Sequence, residues 1–291
     1  MKAKVSGTKK KINGTTFLLM ITILLFVVMY AAGMIVFNDK GFAKPQMFLN
    51  LFISNAGLLV IAMGETIVMI TAGIDISVGS VTALVCMVAA NQMENHGASA
   101  YTALLMALVI GLLFGLVQGF LVSYLEIQPF IVTLAGMFFA RGMTTIVHTD
   151  PFNVQNKAFV ALKDTRVIVP GMGSVNRIGK YVDAYVEIGV IVALLIVVLM
   201  FVMLRWSKLG RAFYAVGGNK QSALMLGINV KRTRFLAQLF SGVLAGIAGY
   251  VYFLHVGSGS ASHATGMEMN AIASSIIGGT LLTGGVGNII G

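Results

Sequence analysis

Residues 17–37 read FLLMITILLFVVMYAAGMIVF, a run of 21 residues without a charged side chain. A helix of this length spans the hydrocarbon core of a bilayer, which is about 30 Å thick. A secretory signal peptide has a shorter apolar region, of about 7–15 residues, before its cleavage site. We therefore interpret the run as a retained first membrane span that follows a basic cytoplasmic segment at 1–16.

Composition supports a membrane protein over a soluble one. Apolar residues make up 57% of the chain and charged residues only 10%, whereas soluble domains carry about 25% charged residues. The net charge is +10, but the basic residues lie between the apolar runs. They therefore indicate topology and contacts with anionic lipid headgroups, and they argue against nucleic-acid binding.

Further apolar runs predict an all-α fold, a polytopic bundle of about eight membrane spans. The predicted spans after the first lie at 48–72, 78–93, 102–125, 129–148, 187–204, 235–254 and 269–283. The membrane domain thus covers 17–291. Because an apolar stretch restarts at 289–290, we expect that the sequence is truncated at its C-terminus.

The basic residues predict which side each loop faces. With a cytoplasmic N-terminus, the segment 205–234 after the sixth span is cytoplasmic, and the long segment 149–186 lies outside. The basic residues of the first segment are Arg205, Lys208, Arg211, Lys220, Lys231, Arg232 and Arg234. The short outer segments 38–47, 94–101 and 255–268 hold only Lys40 and Lys44, as the positive-inside rule requires.

Small residues four apart predict close helix packing. Gly111, Gly115 and Gly119 repeat in one span, and Gly242 and Gly246 repeat in another. Such spacing forms a flat helix face on which a second helix packs closely in lipid.

The motif GIDISVGS at 73–80 joins the second and third spans. The third span is short, so we expect the motif to lie within the depth of the membrane, where irregular backbone is tolerated against protein or a water-filled cavity. Asp75 and Ser77 are therefore candidates for a translocation pathway. The alternative is that one of them simply caps the third span.

Glu65 lies inside an apolar span, where an acidic residue is a functional candidate. The alternative is a structural pair with Arg141, the only basic residue predicted inside a span. Asn55 and Asn270 are further polar residues in spans, together with Asn50 and Gln118. Amide groups such as these line sugar-binding paths, but they also hold helices together by hydrogen bonds.

The cytoplasmic stretch 210–230 predicts a short exposed helix from Lys220 to Leu226. Asn219 would cap its start and Gly227 would end it. An apolar face with Ala223, Leu224 and Leu226 is costly in water unless it docks into a partner's groove. The alternative is a connector that lies on the lipid surface.

Catalytic and metal-binding patterns are absent from the sequence. There is no phosphate-binding G-x-x-x-x-G-K-[ST] motif, so the chain is not expected to bind ATP by that route. The four histidines lack paired ligand spacing, and the single cysteine, Cys86, excludes an intrachain disulfide. We expect neither an enzyme nor a bound metal or cofactor.

Four motifs resemble a known family. They are GIDISVGS at 73–80, PFIVTLAGM at 129–137, YAVGGN at 214–219 with GI at 227–228, and NAIASSIIGGT at 270–280 with GGVG at 284–287. In this order they resemble the permease subunits of bacterial ATP-binding-cassette (ABC) importers for monosaccharides, the ribose, xylose and galactofuranose group. The second and fourth motifs are most similar to the galactofuranose type. The resemblance covers residue 45 onward.

The resemblance implies a type II ABC importer fold of about ten helices, with two permeases in the cytoplasmic membrane, either two copies or a paralogue pair. It also implies a cytoplasmic ATPase, which uses the ATP, and an extracytoplasmic sugar-binding protein. The coupling helix that contacts the ATPase would involve Gly217, Gly218, Asn219, Ala223, Leu226, Gly227 and Ile228. Family members usually continue for about forty more residues.

Two other classes compete with this interpretation. An ion-coupled secondary carrier would need ionisable residues near the middle of the membrane, and Glu65 and Arg141 are the candidates. A membrane scaffold would transport nothing, but it gives no reason for an apolar cytoplasmic helix.

Overall fold

The computed structural model describes residues 14–175 and 179–291. Residues 1–13 of the predicted basic segment lie outside the described residues. The described helices are α1 (Gly14–Val36), α2 (Pro45–Ile70), α3 (Val78–Asn95), α4 (Ala100–Ser123), α5 (Pro129–Val147), α6 (Lys157–Lys163), α7 (Ile188–Trp206), α8 (Lys208–Gly218), α9 (Lys220–Met225), α10 (Val230–Val256) and α11 (Met267–Ile277). The strands are β1 (Phe152–Asn153), β2 (Arg166–Val175), β3 (Tyr181–Glu187) and β4 (Ser258–Gly259).

The predicted polytopic helical bundle is confirmed. In the part of the chain that the structure describes, six helices are long and apolar enough to cross a membrane, namely α1, α2, α4, α5, α7 and α10. The predicted third span corresponds to α3, which has 18 residues but is not among these six helices. Its last turn is polar, with Asn91, Gln92, Glu94 and Asn95.

The eighth predicted span, 269–283, is wrong in its length. Helix α11 has 11 residues and ends at Ile277, so it is about 16 Å long at 1.5 Å per residue. Gly278 and Gly279 follow it, and Gly279 has a positive φ of 94°. Glycine adopts this conformation readily and commonly ends a helix.

Helix α10 forms the centre of the bundle and packs against α2, α3 and α4. The predicted close packing at the glycine faces is confirmed, and the structure shows that the faces of α4 and α10 pack against each other. A Cβ atom added at Gly242 would lie 2.5 Å from the carbonyl oxygen of Gly111 and 2.6 Å from Cα of Gly115. The two backbones therefore touch, as small residues four apart allow in a membrane.

The segment between α5 and α7 is more ordered than the predicted outer loop. It contains α6 and an antiparallel hairpin of β2 and β3, with a register irregularity between Val169 and Ser174. Strands β1 and β4 pair over two residues each and join this segment to the end of α10. Oε2 of Glu94 in α3 accepts hydrogen bonds from the N–H groups of Gln155 and Asn156, at 2.7 and 3.0 Å.

The bundle has two distinct ends. We call one the hairpin end, because it carries β2, β3 and the 257–266 loop. We call the other the α9 end, because it carries α8, α9, the last residues of α2 and the turn at 284–287. The two ends are on opposite sides, as the alternation of the helices requires.

Candidate functional site

The α2–α3 turn folds back along the helix that precedes it. The backbone N–H of Asp75 donates to Oε1 of Glu65 at 3.3 Å, ten residues earlier in the chain. The reversal passes through Ala72, which has a positive φ of 60°, and both Asp75 and Glu65 are buried. Helix α3 therefore begins beside α2 rather than beyond its end, inside the bundle.

Asp75 is the centre of a buried network of hydrogen bonds. Its Oδ1 accepts from the N–H of Ser77 at 3.0 Å and from the hydroxyl of Ser77 at 2.6 Å. Its Oδ2 accepts from the hydroxyl of Ser241 in α10 at 2.7 Å. Both carboxyl oxygens of Asp75 thus have hydrogen-bond partners, as most buried polar groups do.

The predicted cap of the third span has a different form. Ser77 is the residue before α3, but its side chain makes no capping hydrogen bond to that helix. Its hydroxyl instead binds Asp75, and Asp75 accepts from the N–H of Ser77 itself, two residues on. This is a local turn of the kind that aspartate favours, and it stabilises the turn rather than the helix.

The second motif contacts the first. The amide of Gln118 in α4 donates to the Ser77 hydroxyl at 2.9 Å, and it passes so close to Gly136 that a Cβ atom there would overlap with it. The hydroxyl of Thr133 lies 3.4 Å from the carbonyl oxygen of Ile74. The turn is therefore held from α2, α4, α5 and α10 together.

The predicted pair of Glu65 with Arg141 is wrong. Nη1 of Arg141 donates to the carbonyl oxygens of Ala261 and His263, each at 2.8 Å. Helix α5 starts beside the α2–α3 turn, and Arg141 lies 12 residues further along it, which is about 18 Å away. Arg141 therefore reaches the hairpin end. Oε2 of Glu65 has no hydrogen-bond partner among the described residues.

The remaining predicted pathway residues lie outside this network. Asn55 and Asn270 are exposed on the surface of the bundle, and the Asn55 amide donates to the carbonyl of Leu51 in its own helix at 2.8 Å. Helices α2 and α11 are neighbours, since the hydroxyls of Thr66 and Ser275 are 3.0 Å apart. The structure therefore divides the five candidates into a buried group and an exposed group.

The predicted short helix at the α9 end is confirmed. Helix α9 begins after Asn219, whose side chain accepts from the N–H of Ser222 at 2.9 Å. It ends before Gly227, which has a positive φ of 77°. The N–H of Ile228 then donates to the carbonyl of Ala223 at 3.0 Å, so the chain closes tightly against the helix.

The exposed face of α9 differs from the predicted one. Ala223 is buried at 1% exposure and packs with Val216 and Val230, so it cannot contact a partner directly. Leu226 is 77% exposed, and Met225, which is not among the predicted contact residues, is 86% exposed. Leu224 is also exposed. The apolar surface of α9 is therefore formed by residues 224–226.

The third and fourth motifs also meet. A Cβ atom added at Gly217 would overlap with the carbonyl of Ile70 and would lie 2.7 Å from the N atom of Gly285. The hydroxyl of Tyr214 donates to the carbonyl of Gly287 at 3.0 Å, and burial raises the pKa of that hydroxyl. Gly218 has more room, since a Cβ atom added there would lie 4.0 Å from Cα of Gly285.

Comparison with known proteins identifies similar chains. Residues 47–291 match the family described as "Branched-chain amino acid transport system / permease component". The chain is 34% identical to the fructose import permease protein FruG of Bifidobacterium longum, over 99% of this chain and 83% of the relative. It is 37% identical to the inner membrane ABC transporter permease protein YjfF of Escherichia coli, over 94% and 78%.

A third relative has a different stated substrate. The autoinducer 2 import system permease protein LsrC of Yersinia enterocolitica is 32% identical, over 87% of this chain and 66% of that protein. No solved structure matches the chain.

Proposed function

Because this chain belongs to the permease-component family of ABC transport systems, we propose that it forms the membrane pathway through which an ATP-driven importer takes up a monosaccharide. The similarity to a relative that is described as a fructose import permease, over 83% of that relative, supports a sugar substrate. The description of the family names branched-chain amino acids instead, so the substrate class requires a direct test. The relatives support an ATP-driven importer and not an ion-coupled carrier.

The observation that carries the proposal is the exposed apolar tip of α9. Met225 and Leu226 project from the bundle at the end that carries the basic segment 205–234. Helix α9 is held firmly from behind, since Ala223 packs with Val216 and Val230. An apolar tip on a fixed support suits insertion into a groove of a partner. We assign this groove to a cytoplasmic ATPase, which would bind and hydrolyse ATP.

The tip keeps its shape through three residues that do not themselves contact the ATPase, namely Asn219, Gly227 and Ile228. Asn219 caps the start of α9, and Gly227 allows the chain to turn away after it. Ile228 is partly buried beside Ala223. The direct contacts with the ATPase are assigned to residues 224–226.

The exposed face of α11, which carries Asn270 and Ser274, supports a second permease. Asn270, Ala273, Ser274 and Ile277 are exposed at a spacing of three and four residues, which places them on one face of the helix. An amide on a membrane helix is poorly solvated by lipid. We propose that this face and Asn55 on the neighbouring α2 contact a second permease, or line the sugar pathway between the two. The buried Asp75 network would then stabilise the pathway from behind.

The orientation is proposed from the basic residues. The α9 end carries seven basic residues between 205 and 234, so the positive-inside rule supports a cytoplasmic location for this end. The N-terminus is then cytoplasmic as well. The hairpin end faces outward, where an extracytoplasmic binding protein would deliver the sugar. The protein would lie in the cytoplasmic membrane of a bacterium.

The proposal is tested by uptake in a strain of the source organism from which this gene has been deleted. Radiolabelled fructose, ribose, xylose and galactose are compared with leucine and valine, with and without the gene restored on a plasmid. We expect the gene to restore uptake of one monosaccharide and of neither amino acid, and we expect collapse of the ion gradients at constant ATP to leave uptake intact. Restored leucine or valine uptake would overturn the substrate class.

A further inference from the structure

Three separate segments of backbone meet at the α9 end of the bundle. They are the last residues of α2 with the start of its turn (residues 70–72), Gly217 near the end of α8, and the turn at 284–287. We call this contact the backbone junction. It links α8, which directly precedes α9, with the turn that carries Asp75.

The contacts within the backbone junction are made by main-chain atoms and by the Cβ atom of Ala72. The N–H of Gly285 donates to the carbonyl oxygen of Ile70 at 2.9 Å. Gly217 lies against the same carbonyl, so closely that a Cβ atom at Gly217 would overlap with it. On the other side of the junction, a Cβ atom at Gly284 would lie 2.7 Å from Cβ of Ala72 and 2.9 Å from the carbonyl oxygen of Gly217.

One side-chain hydrogen bond reinforces this arrangement. The hydroxyl of Tyr214, one turn before Gly217 in α8, donates to the carbonyl of Gly287 at 3.0 Å. Gly284 and Gly285 both have positive φ angles, of 82° and 74°. The turn at 284–287 is thus shaped by glycine and tied to α8 at two places.

Contacts between main chains leave little room for adjustment by side-chain rotation. A packed contact of this kind passes on a displacement instead of absorbing it. Ala72 has a positive φ of 60°, a conformation that residues with a side chain rarely adopt, so the end of α2 is held in one shape. Asp75 follows three residues later and is bound to Ser241 of α10.

We propose that the backbone junction transmits movement of α8 and α9 to the α2–α3 turn, and through Asp75 and Ser241 to α10. Gly217 is then a positioning residue for transport and does not contact the ATPase or the sugar. The inference rests on the proposed function, because it takes the movement of α9 to come from the ATPase.

The test compares Gly217→Ala with a matched control, Gly142→Ala. Both changes add one methyl group to a helical glycine, but among the described residues the new Cβ at 142 would meet no atom within 4 Å beyond the backbone of its own helix. Each permease is purified with its ATPase and placed in liposomes with the binding protein. The readouts are the amount of ATPase that co-purifies and the amount of sugar transported per ATP hydrolysed.

We expect Gly217→Ala to retain its ATPase while the sugar transported per ATP falls by about tenfold or more. Gly142→Ala is expected to match the wild type in both readouts. Wild-type transport per ATP in Gly217→Ala, or an equal loss in Gly142→Ala, would overturn the inference. The amount of co-purified ATPase distinguishes failure of this inference from failure of the proposed function. If the wild-type permease co-purifies with no ATPase, both proposals are wrong.

A second variant covers the case in which Gly217→Ala does not fold. Tyr214→Phe removes only the hydrogen bond to Gly287 and keeps the ring. We expect sugar transported per ATP to fall by about two- to tenfold, as for the loss of one hydrogen bond, with the co-purified ATPase unchanged. An unchanged ratio in Tyr214→Phe would contradict the role of the junction.

Discussion

The hydroxyl of Ser241 donates a 2.7 Å hydrogen bond to Oδ2 of Asp75, and so ties the α2–α3 turn to the middle of α10. The two residues are 166 positions apart in the chain, and both are buried. Helix α10 is the central helix of the bundle, so this single bond connects the irregular turn to the part of the molecule that contacts α2, α3 and α4.

Removing that bond should destabilise the permease. In Ser241→Ala, one carboxyl oxygen of Asp75 loses its partner, and we expect the free energy of unfolding to fall by about 1–3 kcal/mol. Thr165→Ala is the control, because Thr165 is exposed and its hydroxyl donates to the carbonyl of Ala161, only four residues earlier in the chain. Thermal unfolding of the purified permeases in detergent measures the difference, and equal melting temperatures for Ser241→Ala and the wild type would contradict it.

Glu65 should matter for structure and not for ion coupling. Gln at position 65 keeps an oxygen that can accept from the N–H of Asp75, so we expect Glu65→Gln to transport sugar at the wild-type rate. Glu65→Ala leaves that buried N–H unpaired, and we expect a loss of about 1–3 kcal/mol of stability. Uptake assays and thermal unfolding measure the two effects. If Glu65→Gln folds normally but abolishes uptake, the ion-coupled alternative gains support.

The contact between α4 and α10 should not tolerate a larger residue. A methyl group added at Gly242 would press on the backbone of Gly111 and Gly115, and we expect Gly242→Ala to cost about 1–3 kcal/mol. Gly142→Ala adds the same group in open space, so its stability should be unchanged or slightly increased. The yield and the melting temperature of the two variants are compared with those of the wild type. Equal stability would mean that the two helices do not pack as closely as described.

Much of this fold could be predicted from local sequence. The apolar runs place the membrane helices, the glycines spaced by four predict helix faces that pack closely, and Asn219 and Gly227 mark the two ends of α9. Each of these features depends on residues within a few positions of one another. The β2–β3 hairpin was missed although YVDAYVE at 181–187 is rich in tyrosine and valine, residue types that are enriched in strands.

The features that could not be predicted depend on tertiary contacts. The inward position of Ala223 follows from its packing with Val216 and Val230, and a helix of six residues has too little periodicity to show it. The carbonyl partners of Arg141 lie about 120 residues further along the chain, and carbonyl groups leave no mark in a sequence. For this reason the sequence suggested Glu65, an acidic residue inside a span, as the partner of Arg141, and this was wrong.

The loop at the hairpin end should be sensitive to acid. Burial lowers the pKa of His263 below its usual value of 6.5, and its Nε2 lies 3.1 Å from the hydroxyl of Ser258. The unfolded chain therefore binds this proton more readily than the folded protein. The contribution of His263 to stability is present above pH 6.5 and is lost as the pH falls below that value.

His263→Asn should reduce this dependence. We expect its melting temperature to decline less between pH 7.5 and pH 5 than that of the wild type, and the two proteins are compared by thermal unfolding across the pH series. An equally steep decline in the variant would assign the acid sensitivity to other groups.

The central claim is that an ATPase drives this permease through the tip of α9, and co-purification of the ATPase with Met225→Asp tests it most directly. Met225 is 86% exposed, so a charge there should leave the permease folded, and Met225→Leu preserves an apolar tip as the control. We expect Met225→Asp to retain less than about a tenth of the wild-type ATPase and to lose uptake, while Met225→Leu keeps both. A folded Met225→Asp permease that binds its ATPase and transports sugar like the wild type would contradict the account.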